Sequence, residues 1–191
     1  MKRLRLILPA ICFSTILFSQ KKDVSIRIEQ GNSIQAVSGQ EINLRKEPFR
    51  IVVSLHNVEG VYLFSGFTDS IFKLNENEKI PDFENLPYMA MAEANFNEDQ
   101  ELIISKNGWA FWFYDKKLDW HRFDKDILVT SDSVVGVKTI KQFYIPEPEH
   151  TVTIEQIEQP LYLFFVAIDK TDKKGVPKKE LIRLKAKINW Q

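Results

Sequence analysis

The chain has one cysteine, Cys12, and it falls within the first twenty residues. No disulfide can form inside the chain, and everything after Cys12 is excluded from thiolate metal binding and cysteine nucleophilic catalysis. Glycine is scarce, at seven residues, and neither G-x-G-x-x-G nor a phosphate-loop pattern occurs. The backbone cradles by which nucleotide enzymes hold phosphates are therefore missing. There is no G-x-S-x-G elbow, so the strand-turn-helix placement of a hydrolase serine is missing too. A Ser-His-Asp constellation set by folding alone stays open, because it is defined by geometry. Histidine is limited to His56, His121 and His150, and no two share the H-x-x-x-H spacing of a helical metal pair. Basic and acidic residues number 26 each, so no excess of one sign exists to grip nucleic acid.

What is present begins with a leader. Lys2, Arg3 and Arg5 precede an apolar run from Leu6 to Phe18, broken only by Pro9, Ser14 and Thr15, and the polar chain starts at Gln20. That is the order of a secretory signal peptide. The run is shorter than the ~20 residues a membrane-spanning helix needs. Cys12 is preceded by Ile11 rather than a small residue, which argues against a lipidated cysteine. Residues 1–19 are thus expected to be a cleaved signal peptide. Residues 20–191 would form one domain, exported in a bacterial setting to the periplasm or the exterior and not stably inserted in a membrane. Loss of the three basic residues leaves 23 basic against 26 acidic, a net charge of −3. About 170 residues can bury one self-sufficient core without disulfides.

Beyond the leader the dominant hydrophobic period is two. Phe49, Ile51, Val53 and Leu55 alternate with Arg50, Val52 and Ser54. Ile182, Leu184, Ala186 and Ile188 alternate with Arg183, Lys185, Lys187 and Asn189. Successive strand side chains point to opposite faces, so both runs predict half-buried strands. The run from Leu161 to Ile168 is apolar throughout and predicts a central strand covered on both faces. With Gly175 and Pro177 between them, it and the last run predict a hairpin. Further strands are expected near 24–29, 33–37, 61–65, 102–105, 109–114, 118–123, 134–140 and 152–156. Turns are expected at 57–60 and 106–108. Pro146-Glu147-Pro148 reads as a loop. Residues 86–96 combine alternation with Ala and Met, and either a strand or one short helix fits them. The fold class expected is all-β, an antiparallel β-sandwich of roughly ten strands, Ig-like or jelly-roll-like in plan.

One stretch stands out for chemistry. Residues 107–126 hold three of the four tryptophans, with phenylalanine, tyrosine and charge interleaved. A turn at 115–118 would set Tyr114 opposite Asp119, Phe113 opposite Trp120 and Trp112 opposite His121. One face would then carry Trp109, Phe111, Phe113 and Trp120, as hydrocarbon for the core. The other would carry Trp112, Tyr114, Asp119, His121 and Phe123. Flat rings beside a carboxylate and an imidazole can stack a sugar or clasp a peptide. Trp112, Tyr114, Asp119 and His121 are the expected binding residues. Asp119-x-His121 with Asp124 or Asp126 matches no metal-loop pattern, and no metal or cofactor is expected. The expected function is non-catalytic binding of a glycan or a cell-envelope protein. A small glycosidase-like hydrolase using paired carboxylates, or a structural envelope component, are the alternatives.

Overall fold

The computed structural model describes residues 22–73, 100–104, 110–124, 128–130, 132–146, 148–171 and 177–191. The expected leader, the 86–96 segment, Trp109 and the turn expected at 106–108 lie outside the described residues. Fourteen strands among the described residues form three sheets. The first contains β1 (Asp23–Gln30), β2 (Ser33–Ala36), β4 (Phe49–His56), β9 (Leu128–Val129) and β10 (Ser133–Ile140), in the order β2-β1-β4-β10-β9. The second contains β3 (Glu41–Leu44), β5 (Gly60–Gly66), β7 (Ala110–Asp115), β8 (Trp120–His121), β13 (Leu161–Thr171) and β14 (Pro177–Trp190). Their order is β3-β14-β13-β5-β7-β8. The small third sheet joins β6 (Glu101–Ile103), β11 (Gln142–Pro146) and β12 (Glu149–Thr153) in the order β12-β11-β6. Pairing is antiparallel except for β3 with β14 and β6 with β11.

The two large sheets face each other as a β-sandwich, and the period of two decides what lies between them. Ile26 and Ile28 of β1 and Phe49, Ile51, Val53 and Leu55 of β4 point inward from the first sheet. Val61 and Leu63 of β5 and Leu161, Leu163 and Phe165 of β13 meet them from the second. All are essentially removed from water, and each such side chain contributes about 1.5–3 kcal/mol of transfer free energy. β13 is also apolar on its outer face, as a central strand should be. There Phe164, Val166 and Ile168 form a second buried cluster with Tyr62 and Phe64, against which Phe72, Trp112 and Tyr162 pack.

The third sheet closes one end of the sandwich. Phe143 of β11 meets Phe67 edge-on at 5.6 Å and Trp190 at 6.3 Å, and Trp190 reaches Phe49 at 6.2 Å. These rings sit at the start of β4 and the ends of β5 and β14. The opposite end is formed by the connections β4–β5, β7–β8 and β9–β10, with Val58 buried as its plug.

Several expectations need correction. Strands exceed the expected ten because β3, β9 and β11 were not anticipated. Two are edge strands of four and two residues, and β11 gains its place through a parallel partner distant in sequence. The strand expected at 152–156 is β12 shifted toward Glu149, and Ile154–Gln156 instead make a turn of 3-10 helix. Pro146, read as a loop residue, ends β11, and β12 begins at Glu149.

The hairpin of β13 and β14 forms as expected, but its apolar row is not uniformly buried. Ala186 and Ile188 are buried, Leu184 is half-buried and Ile182 is 39 % exposed. The pairing with β13 shifts beyond Ala167, and β3 flanks β14 only along Lys187–Trp190, away from Ile182. Ile182→Ala should therefore change unfolding free energy by no more than about 0.5 kcal/mol, the usual surface range. Ile188→Ala should cost several times more. Equal costs in denaturant unfolding would show that Ile182 is packed after all.

Candidate functional site

The hairpin of β7 and β8 is built on an aspartate turn. Asp115 is buried, and its Oδ1 accepts from the amides of Lys117 at 2.9 Å and Leu118 at 3.1 Å. The loop is residues 116–119, and Asp119 closes it with φ at +49°. Asp and Asn tolerate that left-handed conformation better than most residues. The turn is one residue later than expected, so the register differs by two. Tyr114 pairs with His121 and Asp115 with Trp120, not Tyr114 with Asp119.

A second departure matters more. On its other side β7 pairs with β5, and the register shifts between Val61 and Tyr62. Val61 opposes Tyr114 while Tyr62 opposes Trp112, so Phe113 is an extra residue in a β-bulge. The bulge turns both Phe113 and Tyr114 toward the main core, and leaves Trp112 alone on the outer face. The expected face uniting Trp112 with Tyr114 does not exist. Trp112 stacks on Tyr62 at 3.8 Å between centroids, and its ring fills the space where Gly60 has no side chain. Trp120, expected in the core, is half-buried at the β8 edge. The guanidinium of Arg122 lies 5.0 Å from its ring and 5.0 Å from that of Phe111. Burial holds Arg122 down to about 10, still protonated at neutral pH.

The other three expected residues do come together. Tyr114, Phe123 and His121 form a parallel stack, with centroids 6.3 Å apart for Tyr114–Phe123 and 5.2 Å for His121–Phe123. Phe123 anchors the stack by lying over Gly136 of β10, where any side chain would overlap its ring. Asp124 continues the crossing to the first sheet: its amide donates to the carbonyl of Val137, and its Oδ2 accepts from the amide of Thr139 at 2.8 Å. Asp119 is exposed in the loop beside them. Burial holds His121 below the usual histidine range, and Asp119 opposes that shift.

A residue read only as part of a turn joins this group. The amide of Lys116 donates to the carbonyl of Glu59 at 2.9 Å, which brings the β4–β5 turn against the β7–β8 loop. Tyr114 is 7 % exposed. Burial, then the charges of Glu59, Asp119 and Asp115, push its phenol up to about 12. The signal for Glu59 in sequence is slight: it precedes Gly60, and only the pairing of Gly60 with Asp115 shows why that turn belongs here.

A second row carries the residue types of a hydrolase. Asp23, His56 and Ser133 are cross-strand neighbours on β1, β4 and β10, and His56 Nδ1 lies 2.8 Å from Ser133 Oγ. The surrounding amides are already engaged. Ser133 N–H donates to Thr130 Oγ1 at 3.0 Å, and Asn57 N–H to the carbonyl of Asp132 at 2.8 Å. Neither is left to stabilise an oxyanion, which is commonly the largest single contribution to acyl transfer. No group of three His, Cys, Asp or Glu residues among the described residues could hold a metal ion.

No protein-family model matches the chain, and neither a curated protein nor a solved structure matches it.

Proposed function

We propose that the protein is an exported, non-catalytic binding domain whose ligand is a glycan or a cell-envelope protein. Its binding surface is the loop end of the sandwich. The observation that carries this reading is the convergence of Tyr114, Asp119, His121 and Glu59 on that end. A rigid sandwich that presents mixed aromatic and polar groups on end loops is an economical way to display a recognition surface. Export follows from the leader, and loop-end display suits a ligand outside the cell.

A hydrolase is the second reading. The carboxylates of Glu59 and Asp119 on either loop, or the contact of Ser133 with His56, would be its basis. The engaged amides around Ser133 weigh against it. Amide resonances followed during titration with chito-oligosaccharides and with a solubilised envelope-protein fraction test the binding reading. Shifts should concentrate at 57–60 and 114–121. Shifts confined to other surfaces would contradict it. The same samples should release no reducing sugar, and a fluorophosphonate probe should leave Ser133 unlabelled. Labelling at Ser133 that is lost in His56→Ala would establish the hydrolase instead.

A further inference from the structure

We propose that Lys22 and Asp169 join in an isopeptide bond, an amide between their side chains that ties the first sheet to the second. This modification is independent of what the loop end binds. Lys22 immediately precedes β1 of the first sheet, and Asp169 lies in β13 of the second. The register gives Asp169 its setting. Ile168 pairs with Glu180 and Lys170 with Lys179, two steps along β13 against one along β14. Asp169 is thus the extra residue of a β-bulge, a device that re-aims a side chain. Its side chain is 1 % exposed.

The carboxyl group stands between two amines. Lys22 Nζ meets Oδ1, and Lys179 Nζ lies 2.8 Å from Oδ2. The Oδ2 contact is an ordinary ion pair. Oδ1 is different: it is buried and accepts no hydrogen bond, although Lys22 is against it. A buried carboxylate oxygen is normally hydrogen-bonded, because losing water without a replacement is costly. Glu29 shows the normal arrangement, its two oxygens accepting from Arg27 at 2.7 Å and Arg50 at 2.8 Å. An amine that touches a carboxyl group without donating to it is placed as a nucleophile, not as a counter-ion.

The pair holds the atoms of one amide and one water. A proton passes from the Lys22 ammonium to Oδ1, leaving a neutral amine and a neutral acid. The nitrogen lone pair then attacks Cγ, and the Cγ–Oδ1 bond breaks. Oδ1 departs as water, carrying that proton and a second one from the nitrogen. Oδ2 remains as the amide carbonyl. Negative charge gathers on Oδ2 in the tetrahedral intermediate, where the Lys179 ammonium already sits to stabilise it. Burial favours the product, since two ions become one neutral amide. Well-oriented groups held in contact react with effective molarities on the order of 10⁵ M or more. No oxidant is needed, so a chain with a single cysteine gains a covalent brace without a disulfide.

Intact-mass measurement of the full chain, followed by peptide mapping, tests this. The folded protein should be lighter by one water than the mass of its sequence from the observed N-terminus. A branched peptide should join Lys22 to Asp169, and trypsin should not cut after Lys22. Lys22→Arg and Asp169→Ala should each keep the full mass of their own sequences. Lys22→Arg retains the charge, and circular dichroism checks that it is folded. Lys179→Gln should be at least tenfold less converted at the same time after induction. Wild-type protein at full mass overturns the proposal. So does a lost water that maps to a single linear peptide, or a branch at Lys179 in place of Lys22. Unchanged conversion in Lys179→Gln overturns the role given to that ammonium.

Discussion

Phe113→Ala is expected to lower the unfolding free energy by about 3–5 kcal/mol, the range for truncating a buried aromatic ring. Phe113 is 1 % exposed and meets Phe123 edge-on at 5.2 Å and Phe165 at 6.0 Å. It is also the extra residue of the β7 bulge, so its ring holds the bulge against the core. Losing it leaves a cavity between β7, β13 and the 122–124 crossing. Those segments belong to different pairings and cannot collapse together to fill the space. Trp120→Ala should cost clearly less, although tryptophan is the larger side chain. Its partner is the Arg122 guanidinium at a sheet edge, not the closed core. Denaturant unfolding of the two variants decides the matter. If Trp120→Ala matches or exceeds Phe113→Ala, the indole is part of the core.

Gly136→Val should destabilise the fold by about 1–3 kcal/mol, the usual cost of overpacking a filled site. Valine suits a strand better than glycine does, so a loss here runs against β-propensity. The cause is Phe123, whose ring occupies the volume a side chain at 136 would need. That ring packs against Phe113, Tyr114 and His121, and so cannot swing aside freely. In a Phe123→Ala background the same substitution should lose most of its cost. A double-mutant cycle measures this directly, and residues in contact show coupling of roughly 0.5–3 kcal/mol. Simple additivity would mean that something other than the ring excludes a side chain at Gly136. Because Phe123 orders the stack, Gly136→Val should also weaken binding at the loop end without touching it.

The sequence by itself determined which residues could form strands, and for the long ones which side chains could share a face. Alternation in β4 is a local property of the chain: Phe49, Ile51, Val53 and Leu55 point one way because each peptide step turns the side chain over. The unbroken apolar run of β13 likewise announced a strand covered on both faces, since no alternation can satisfy a strand with two apolar neighbours. The chemistry of residues 107–126 was equally legible, and Tyr114, Asp119 and His121 could be singled out from it.

Tertiary structure decided the rest. Tyr114 leaves the face of Trp112 only because β7 carries one residue more than β5 offers to pair with, and a bulge belongs to two strands, not to one. Ile182 follows the same alternation as Ile188, yet is exposed, and it lies outside the stretch of β14 that pairs with β3. Glu59 has no local mark as a site residue. It reaches Tyr114 because the pairing of Gly60 with Asp115 sets the β4–β5 turn against the β7–β8 loop. Periodicity records which side of its own strand a residue occupies. It carries no information about which distant strand lies alongside, or where that strand stops, and those two facts placed the candidate site.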